Sequence, residues 1–389
     1  MTYKEKTRSI VFLNTGCSIA SYMTLVVLAL FVNSMLSIKE TAIIVAIPSL
    51  IRVFSGTIVP SISKKISIKT MCLLSIIINI IAYLFVSQAN CFIEFIVIAV
   101  LNGLAELIYQ PTVKCMFAKL AENSEETNYV HKMRYYSICL AGLLGPLIGG
   151  VINELFDSII CFYAAAFVEF LMLVVAIKCI PNVSDEDQIK TEYNMDVVRD
   201  KVFWGYILSG FLVFFVFSQF ETVYSLALKE YFKNTELTYA ILLCLNSLFG
   251  IVLQSFMIKT NKMISVPKGI YFFEIAFISF ALCFWLHLNL IFFAVGVFIY
   301  TIGEVTVIPG LDIQIDAHAE DNSKMDYFSI AEARIIGFVL GPIFMGWALD
   351  RFNATYVCLL SFMILLIGQF VNGITIMKDS NLLITAGRE

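Results

Sequence analysis

The sequence predicts an all-α polytopic membrane protein: twelve transmembrane helices in two six-helix pseudo-symmetric halves. Three observations carry that prediction. Of the 389 residues, 59% are hydrophobic and only 14% charged, against roughly 25% charged in a soluble domain. Apolar runs long enough to cross a ~30 Å hydrocarbon core, which takes about 20 helical residues, recur from end to end. The polar segment "PNVSDEDQIKTEYNMDVVRDK", 181–201, divides the chain near its midpoint with six such runs on either side.

The spans are read at about 9–34, 40–63, 70–89, 92–118, 129–152, 158–180, 203–231, 236–259, 265–286, 288–316, 324–349 and 354–377. With no water at this depth to satisfy backbone groups, each must be helical. The first run is too long for a signal-peptide core and lacks a small-residue cleavage site, so it stays as a span. Residues 1–180 form the N-terminal half, 181–201 the linker and 202–389 the C-terminal half. With the N-terminus inside, the inner segments hold 20 of the 26 Lys and Arg. Lys39, Lys229, Lys233 and Arg351 fall outside, and Arg52 and Arg334 fall within spans. Positive charge marks the inner side, so the expectation is a multi-pass cell-membrane protein with both termini cytoplasmic.

Other classes are poorly served. The net charge of −4 sits in short loops and suggests no nucleic-acid partner. Ten cysteines lie almost all within spans, with no Cys-x-x-Cys pair or histidine spacing for a metal, and read as small buried apolar residues. His131, His287 and His318 lie near span ends and read as exposed loop residues. There is no His-Glu-x-x-His, no Gly-x-Ser-x-Gly and no phosphate loop, so neither an enzyme, a cofactor nor direct ATP drive is expected.

The halves repeat. At an offset of 198, Glu106 and Pro111 recur as Glu304 and Pro309, and "AEN" at 121–123 recurs as "AED" at 319–321. "KKISIK", 64–69, matches "KMISVPK", 262–268, with one inserted residue; after a two-residue deletion, "AGLLGPLIGG", 141–150, matches "GFVLGPIFMG", 337–346. Four matches in one order make the halves parallel repeats, a plan used by transporters whose site lies near the bilayer midplane.

On these features the chain resembles the major facilitator superfamily over its whole length. "GLLGPLIGGVI" in the fifth span is similar to the Gly-x-x-x-Gly-Pro-x-x-Gly-Gly signature of drug/proton antiporters. There Gly142, Gly145, Gly149 and Gly150 would admit a neighbouring helix and Pro146 would bend their own; Gly341 and Pro342 stand for them in the second half. Two departures matter. The loop "PSISKKISIK", 60–69, keeps Lys65 and Lys69 of the family's Gly-x-x-x-Asp-Arg-x-Gly-Arg-Lys pattern but has Pro60, Lys64 and Ser67 in place of its Gly, Asp and Gly. The fourth span reads "AVLNG", 99–103, so Ala99 stands where many antiporters have an arginine. Proton coupling here must therefore use other residues.

Ionisable groups at membrane depth are functional candidates by default. Glu106, Glu304 and Arg52 are read near the bilayer middle, Glu221 in the outer half of the seventh span, Glu332 and Arg334 in the inner half of the eleventh, and Arg134 near the inner end of the fifth. All seven fall on spans that line the central cavity in the family resembled; Glu169 and Glu274 would be peripheral. A carboxylate removed from water favours its protonated form, which makes Glu106, Glu304, Glu221 and Glu332 candidate proton or cation sites. Glu106 and Glu304 would face each other as a midplane pair, each with a proline five residues on as a hinge. Arg52, Arg134 and Arg334, with Gln219 and Asn246, are candidates for substrate or counter-charge. Structural ion pairs, Arg52 with Glu106 among them, are the competing reading. The expectation is a secondary active transporter, monomeric in the bilayer, exporting a small amphipathic or cationic organic compound against protons. The alternatives are an uptake symporter or uniporter for a polar or anionic metabolite, and, further off, a membrane receptor.

Overall fold

A computed structural model describes residues 3–180, 195–221, 223–228, 231–233, 235–260 and 264–379. Most of the expected linker lies outside the described residues. The first half comprises α1 (Tyr3–Met35), α2 (Ile38–Arg52), α3 (Ser55–Ser63), α4 (Ile68–Val86), α5 (Phe92–Ala118), α6 (Ser124–Leu155) and α7 (Ser158–Cys179). After a short α8 (Met195–Arg199) come α9 (Lys201–Glu221), α10 (Val223–Ala227), α11 (Thr235–Thr260), α12 (Val266–Trp285), α13 (Leu290–His318), α14 (Lys324–Ala331), α15 (Ile336–Arg351) and α16 (Ala354–Lys378). Among the described residues ten helices are long and apolar enough to cross a membrane, and α2 with α3 would make one further span, bent by 52°.

Polar residues between the apolar runs start the helices. Ser37 and Glu40 form a capping box on α2, and Ser67, Asn123, Asp157, Asn289 and Asn353 each accept a first-turn amide with the side chain. Each thereby satisfies an amide the helix itself leaves unpaired. Two spans are interrupted. The second breaks between Arg52 and Ser55, and the eleventh passes through a 3-10 turn at Glu332–Ile335 between α14 and α15.

The chain forms two compact units, Met1–Met195 with Glu320–Ala333, and Asp196–Ala319 with Arg334–Glu389. In the first, α1 packs along α6 and α7, α4 along α5 and α7, and α14 seats on α3 and α5. In the second, α9 packs along α15 and α16, and α12 along α13 and α16, around an aromatic core in which Phe220 stacks on Tyr300 at 4.6 Å between ring centroids.

The repeat is visible in how glycine brings backbones together. A Cβ on Gly145 would come 2.5 Å from the Tyr22 Cβ, and one on Gly149 2.6 Å from the Met23 carbonyl, both on α1. Equivalent Cβ atoms on Gly337 and Gly341 of α15 would run into the Phe211 and Phe215 carbonyls of α9. Around Gly142 and Gly150, by contrast, a Cβ would meet nothing within 4 Å. Pro146 and Pro342 both lie inside their helices.

Two of the histidines expected in exposed loops are placed otherwise: His131 is buried and His318 half-buried. His318, at the end of α13, has Nε2 2.6 Å from Asp200 Oδ2 and Nδ1 2.9 Å from Asp379 Oδ2, while the Tyr206 hydroxyl donates to the same Asp379 oxygen at 2.9 Å. A neutral imidazole has one N–H, so donating to both carboxylates takes the imidazolium. The clasp joins the ends of α9, α13 and α16. His131 is buried in the first unit with its ring 6.1 Å from Phe328, and only His287 is exposed, in the turn between α12 and α13.

Gly149→Ala is expected to lower the stability of the detergent-solubilised protein by about 1–3 kcal/mol, the usual range for overpacking, because the clash is with backbone. Gly150→Ala, in open space, should stay within about 0.5 kcal/mol of the parent. Thermal unfolding of the two variants side by side checks this, and equal effects would contradict the close α1–α6 approach.

Candidate functional site

The two helix breaks carry the charges that sequence reasoning picked out. Arg52 is the last residue of α2, and Glu332 opens the 3-10 turn. Within the first unit they meet. Glu332, 2% exposed, accepts at Oε2 from Arg52 Nε at 2.6 Å and at Oε1 from Lys114 Nζ of α5 at 2.7 Å. Each of its two oxygens thus faces a cation. Close packing at Gly56 of α3, where a Cβ would lie 2.8 Å from the Ile330 Cα of α14, sets the approach of the two segments. A 3-10 stretch within a span is a common hinge device.

A second cluster lies in the second unit. Arg334 Nη2 donates to Asp312 Oδ1 of α13 at 2.6 Å, with both side chains 3% exposed. The guanidinium also stands over the Phe214 ring, 5.6 Å from its centroid, and its buried Nη1 has no hydrogen-bond acceptor among the described residues. Phe214 and Phe217 pack against Phe338 beside it. The two clusters are related by the internal repeat, since the offset of 198 places Lys114 and Asp312 at equivalent positions. Their charges are opposite, and each pairs with a residue of the eleventh span. Sequence reasoning counted Lys114 among inner-side charges and passed over Asp312; the offset of 198 that linked Glu106 to Glu304 would have found both.

Glu106, half-buried on α5, has neither an arginine nor a lysine as its partner among the described residues. Gln110 Nε2 donates to its Oε2 at 2.8 Å, and Arg134 Nη2 stands 3.5 Å from Gln110 Oε1 on the far side of that amide. The pairing of Arg52 with Glu106, one of the structural pairs considered from sequence, is not formed. Glu304 is half-buried on α13, one turn from Thr301, whose hydroxyl donates to Asn246 Oδ1 at 2.7 Å. Gln219 is buried, donating to the Phe215 carbonyl at 2.7 Å, and its Oε1 takes no hydrogen bond among the described residues. Glu221 closes α9, and its side chain lies outside the described residues. Glu169 and Glu274, read as peripheral, are 1% and 3% exposed.

A family model described as Major Facilitator Superfamily matches residues 10–332. Among curated proteins, an uncharacterized MFS-type transporter YqjV of Bacillus subtilis (strain 168) is 24% identical over 348 residues, covering 86% of this chain and 84% of that protein. Three solved structures share the fold. The human organic anion transporter MFSD10 (TETRAN) superposes with TM-score 0.79 at 14% identity, covering 95% of this chain and 99% of its own. The proton:xylose symporter XylE, bound to 6-bromo-6-deoxy-D-glucose, gives 0.78 at 12%, covering 94% and 95%. A bacterial homologue of the iron transporter ferroportin, in an outward-facing state, gives 0.77 at 11%, covering 95% and 99%.

Glu332→Gln leaves two cations facing a neutral amide. Removing one partner of a buried pair costs about 3–5 kcal/mol, and the lower end is expected here because the Arg52 side chain is 20% exposed. Lys114→Gln should cost less, since Arg52 still holds the carboxylate. The double variant should fall short of the sum by about 0.5–3 kcal/mol, as contacting residues do. Thermal unfolding of the four proteins measures the cycle, and strict additivity would show that the pair contributes nothing.

Proposed function

The chain belongs to the major facilitator superfamily, and from the geometry above we propose that it exports a small amphipathic organic compound across the cell membrane in exchange for protons. That it is a transporter and not an enzyme follows from the family; substrate, coupling and direction are the proposal. The observation that carries the coupling is the contrast between two carboxylates. Glu332 is held by Arg52 and Lys114, whereas Glu106, in mid-span, has among the described residues the neutral Gln110 amide.

A carboxyl in that position can gain and lose a proton without breaking an ion pair. Gln110 links it to Arg134, so when the proton leaves, a guanidinium is one amide away to answer the charge. Glu304 holds the equivalent place in the second repeat and is the second coupling group. The Glu332 cluster, at the breaks of two spans, then acts as a fastening for segment 320–333, released and remade as access alternates. Both termini on the cytoplasmic side and a monomeric state complete the reading, on the distribution of Lys and Arg and the habit of the fold. XylE, similar in fold, is described as a proton:xylose symporter, which sets proton coupling within the range of this architecture. Export follows from the likeness of "GLLGPLIGGVI" to the antiporter signature.

For the substrate, the Phe214, Phe217 and Phe338 wall beside Arg334 supports an amphipathic molecule, which gains from aromatic contact. One observation favours a second reading, an organic anion: the buried Arg334 Nη1 lacks an acceptor, and a substrate carboxylate would supply one.

The test is proton flux in proteoliposomes with a pH-sensitive dye inside, challenged with cationic, zwitterionic and anionic compounds. The parent should show substrate-dependent flux in the antiport sense, and Glu106→Gln or Glu304→Gln should reduce it to background. Gradient-driven transport intact in both variants would overturn the assignment of the carboxylates. Flux in the symport sense would replace export with uptake, and equilibration of a labelled compound without proton flux would make the protein a uniporter.

A further inference from the structure

Where α9 begins and α16 ends, neighbouring side chains are put to different uses. Asp200 and Asp379 close onto His318, while Lys201 and Lys378, the residues beside them in the chain, line a cleft between the two helices. Both lysines are exposed, and among the described residues neither ammonium takes part in an ion pair or a hydrogen bond. The two nearest carboxylates in sequence are engaged by the histidine, and no carboxylate lines the cleft. Its mouth therefore carries a local excess of positive charge.

One and two turns in from the lysines, the walls become apolar. Val202 stands on α9, and Phe370, Val371 and Ile374 on α16; Phe370 is 68% exposed, so the cleft opens at the protein surface. Its floor is where the helices come closest. A Cβ on Gly205 would run into the Thr375 hydroxyl, which donates within its own helix to the Val371 carbonyl at 2.7 Å. Along the cleft, Ser209 donates to the Gly368 carbonyl at 3.2 Å and Tyr206 to Asp379 at 2.9 Å, tying α9 to α16. The shape is preformed, which lowers the cost of binding.

Size and position select the occupant. A volume of about 240 Å³ falls short of the roughly 300–1,000 Å³ usual for a drug-sized molecule. Trp204, 42% exposed on the first turn of α9, donates its indole N–H to the Val198 carbonyl at 2.8 Å, and tryptophan is characteristic of the membrane–water boundary. A phospholipid at that depth brings its phosphate to the level of the lysines and its acyl chains to the level of Phe370.

We propose that this cleft binds the headgroup of an acidic phospholipid, its phosphate answered by Lys201 and Lys378 and an acyl chain lying along Phe370, Val371 and Ile374. A phosphate between two ammonium groups accepts charge-assisted hydrogen bonds from both. Phosphatidylcholine shares the phosphate but brings a cation of its own, which the lysines repel. Basic pockets between transmembrane helices take acidic headgroups on the cytoplasmic side, the side proposed for this end from the distribution of Lys and Arg. Because the cleft and the His318 clasp are built on the same two helix ends, a bound lipid reinforces their closure. The site depends on neither the substrate nor the coupling proposed above.

Native mass spectrometry of the detergent-solubilised full chain, titrated with phosphatidylglycerol or with phosphatidylcholine of the same acyl chains, reads retained lipid whatever the protein transports. The parent should prefer phosphatidylglycerol. Lys201→Gln combined with Lys378→Gln, both at exposed positions and expected to fold, should weaken that binding about thirtyfold, each basic group near an acidic lipid surface contributing roughly fivefold. Lys259→Gln combined with Lys268→Gln removes the same charge from exposed positions that do not line the cleft and should leave it nearly unchanged. Val371→Trp keeps both lysines and fills the cleft, so it too should weaken binding. Equal retention of the two lipids, or an unchanged affinity in the Lys201 and Lys378 double variant, would overturn the site. An equal loss in the Lys259 and Lys268 variant would reduce it to net charge, and displacement of the lipid by inorganic phosphate at the same concentration would replace the lipid with a free anion.

Discussion

A charge placed in hydrocarbon has to be answered by an opposite charge, by hydrogen-bond donors or by a proton, and the inner helices of this protein are arranged around that requirement. Glu332 is answered by Arg52 and Lys114, Arg334 by Asp312 and the face of Phe214. Where a helix end emerges, His318 answers Asp200 and Asp379. Among the described residues, Glu106 is met by the neutral Gln110 amide instead.

The fixed pairs occur where two spans are interrupted. A helix that ends at Arg52 and restarts at Ser55, and a 3-10 turn that begins at Glu332, give up regular backbone hydrogen bonds inside the membrane. Side chains and neighbouring helices must then complete the local bonding. Ser55, the first residue after one break, donates to the Leu107 carbonyl of α5 at 2.9 Å. Breaks of this kind are where a span can change direction, and the Glu332 cluster is seated on them.

Backbone approach is the second organising device. Gly145 and Gly149 admit α1 to α6, as Gly337 and Gly341 admit α9 to α15. In a medium where apolar side chains gain nothing by leaving solvent, such contact rests on dispersion between closely fitted surfaces. The equivalence of the two helix pairs is the three-dimensional form of the repeat between 141–150 and 337–346. The repeat also explains why Lys114 and Asp312 sit in matching places, each engaging the eleventh span with charge of opposite sign.

The sequence by itself determined the helical class, the order of the apolar runs, the family, and the candidate charges apart from Lys114 and Asp312. Each of these follows from a constraint acting on one segment at a time: the bilayer demands length and apolarity of every span independently, and the internal repeat is a comparison of letters. Only the tertiary structure decided who meets whom. Arg52 finds Glu332 across 280 residues and Lys114 finds it across 218, while Arg52 and Glu106, near one another in depth, do not pair. The burial of His131, the clasp around His318 and the pairing of Asp312 with Arg334 were likewise invisible. Each depends on how a helix is rotated about its axis and which neighbour it faces, and a near-uniformly apolar span carries almost no periodic signal from which that rotation could be read.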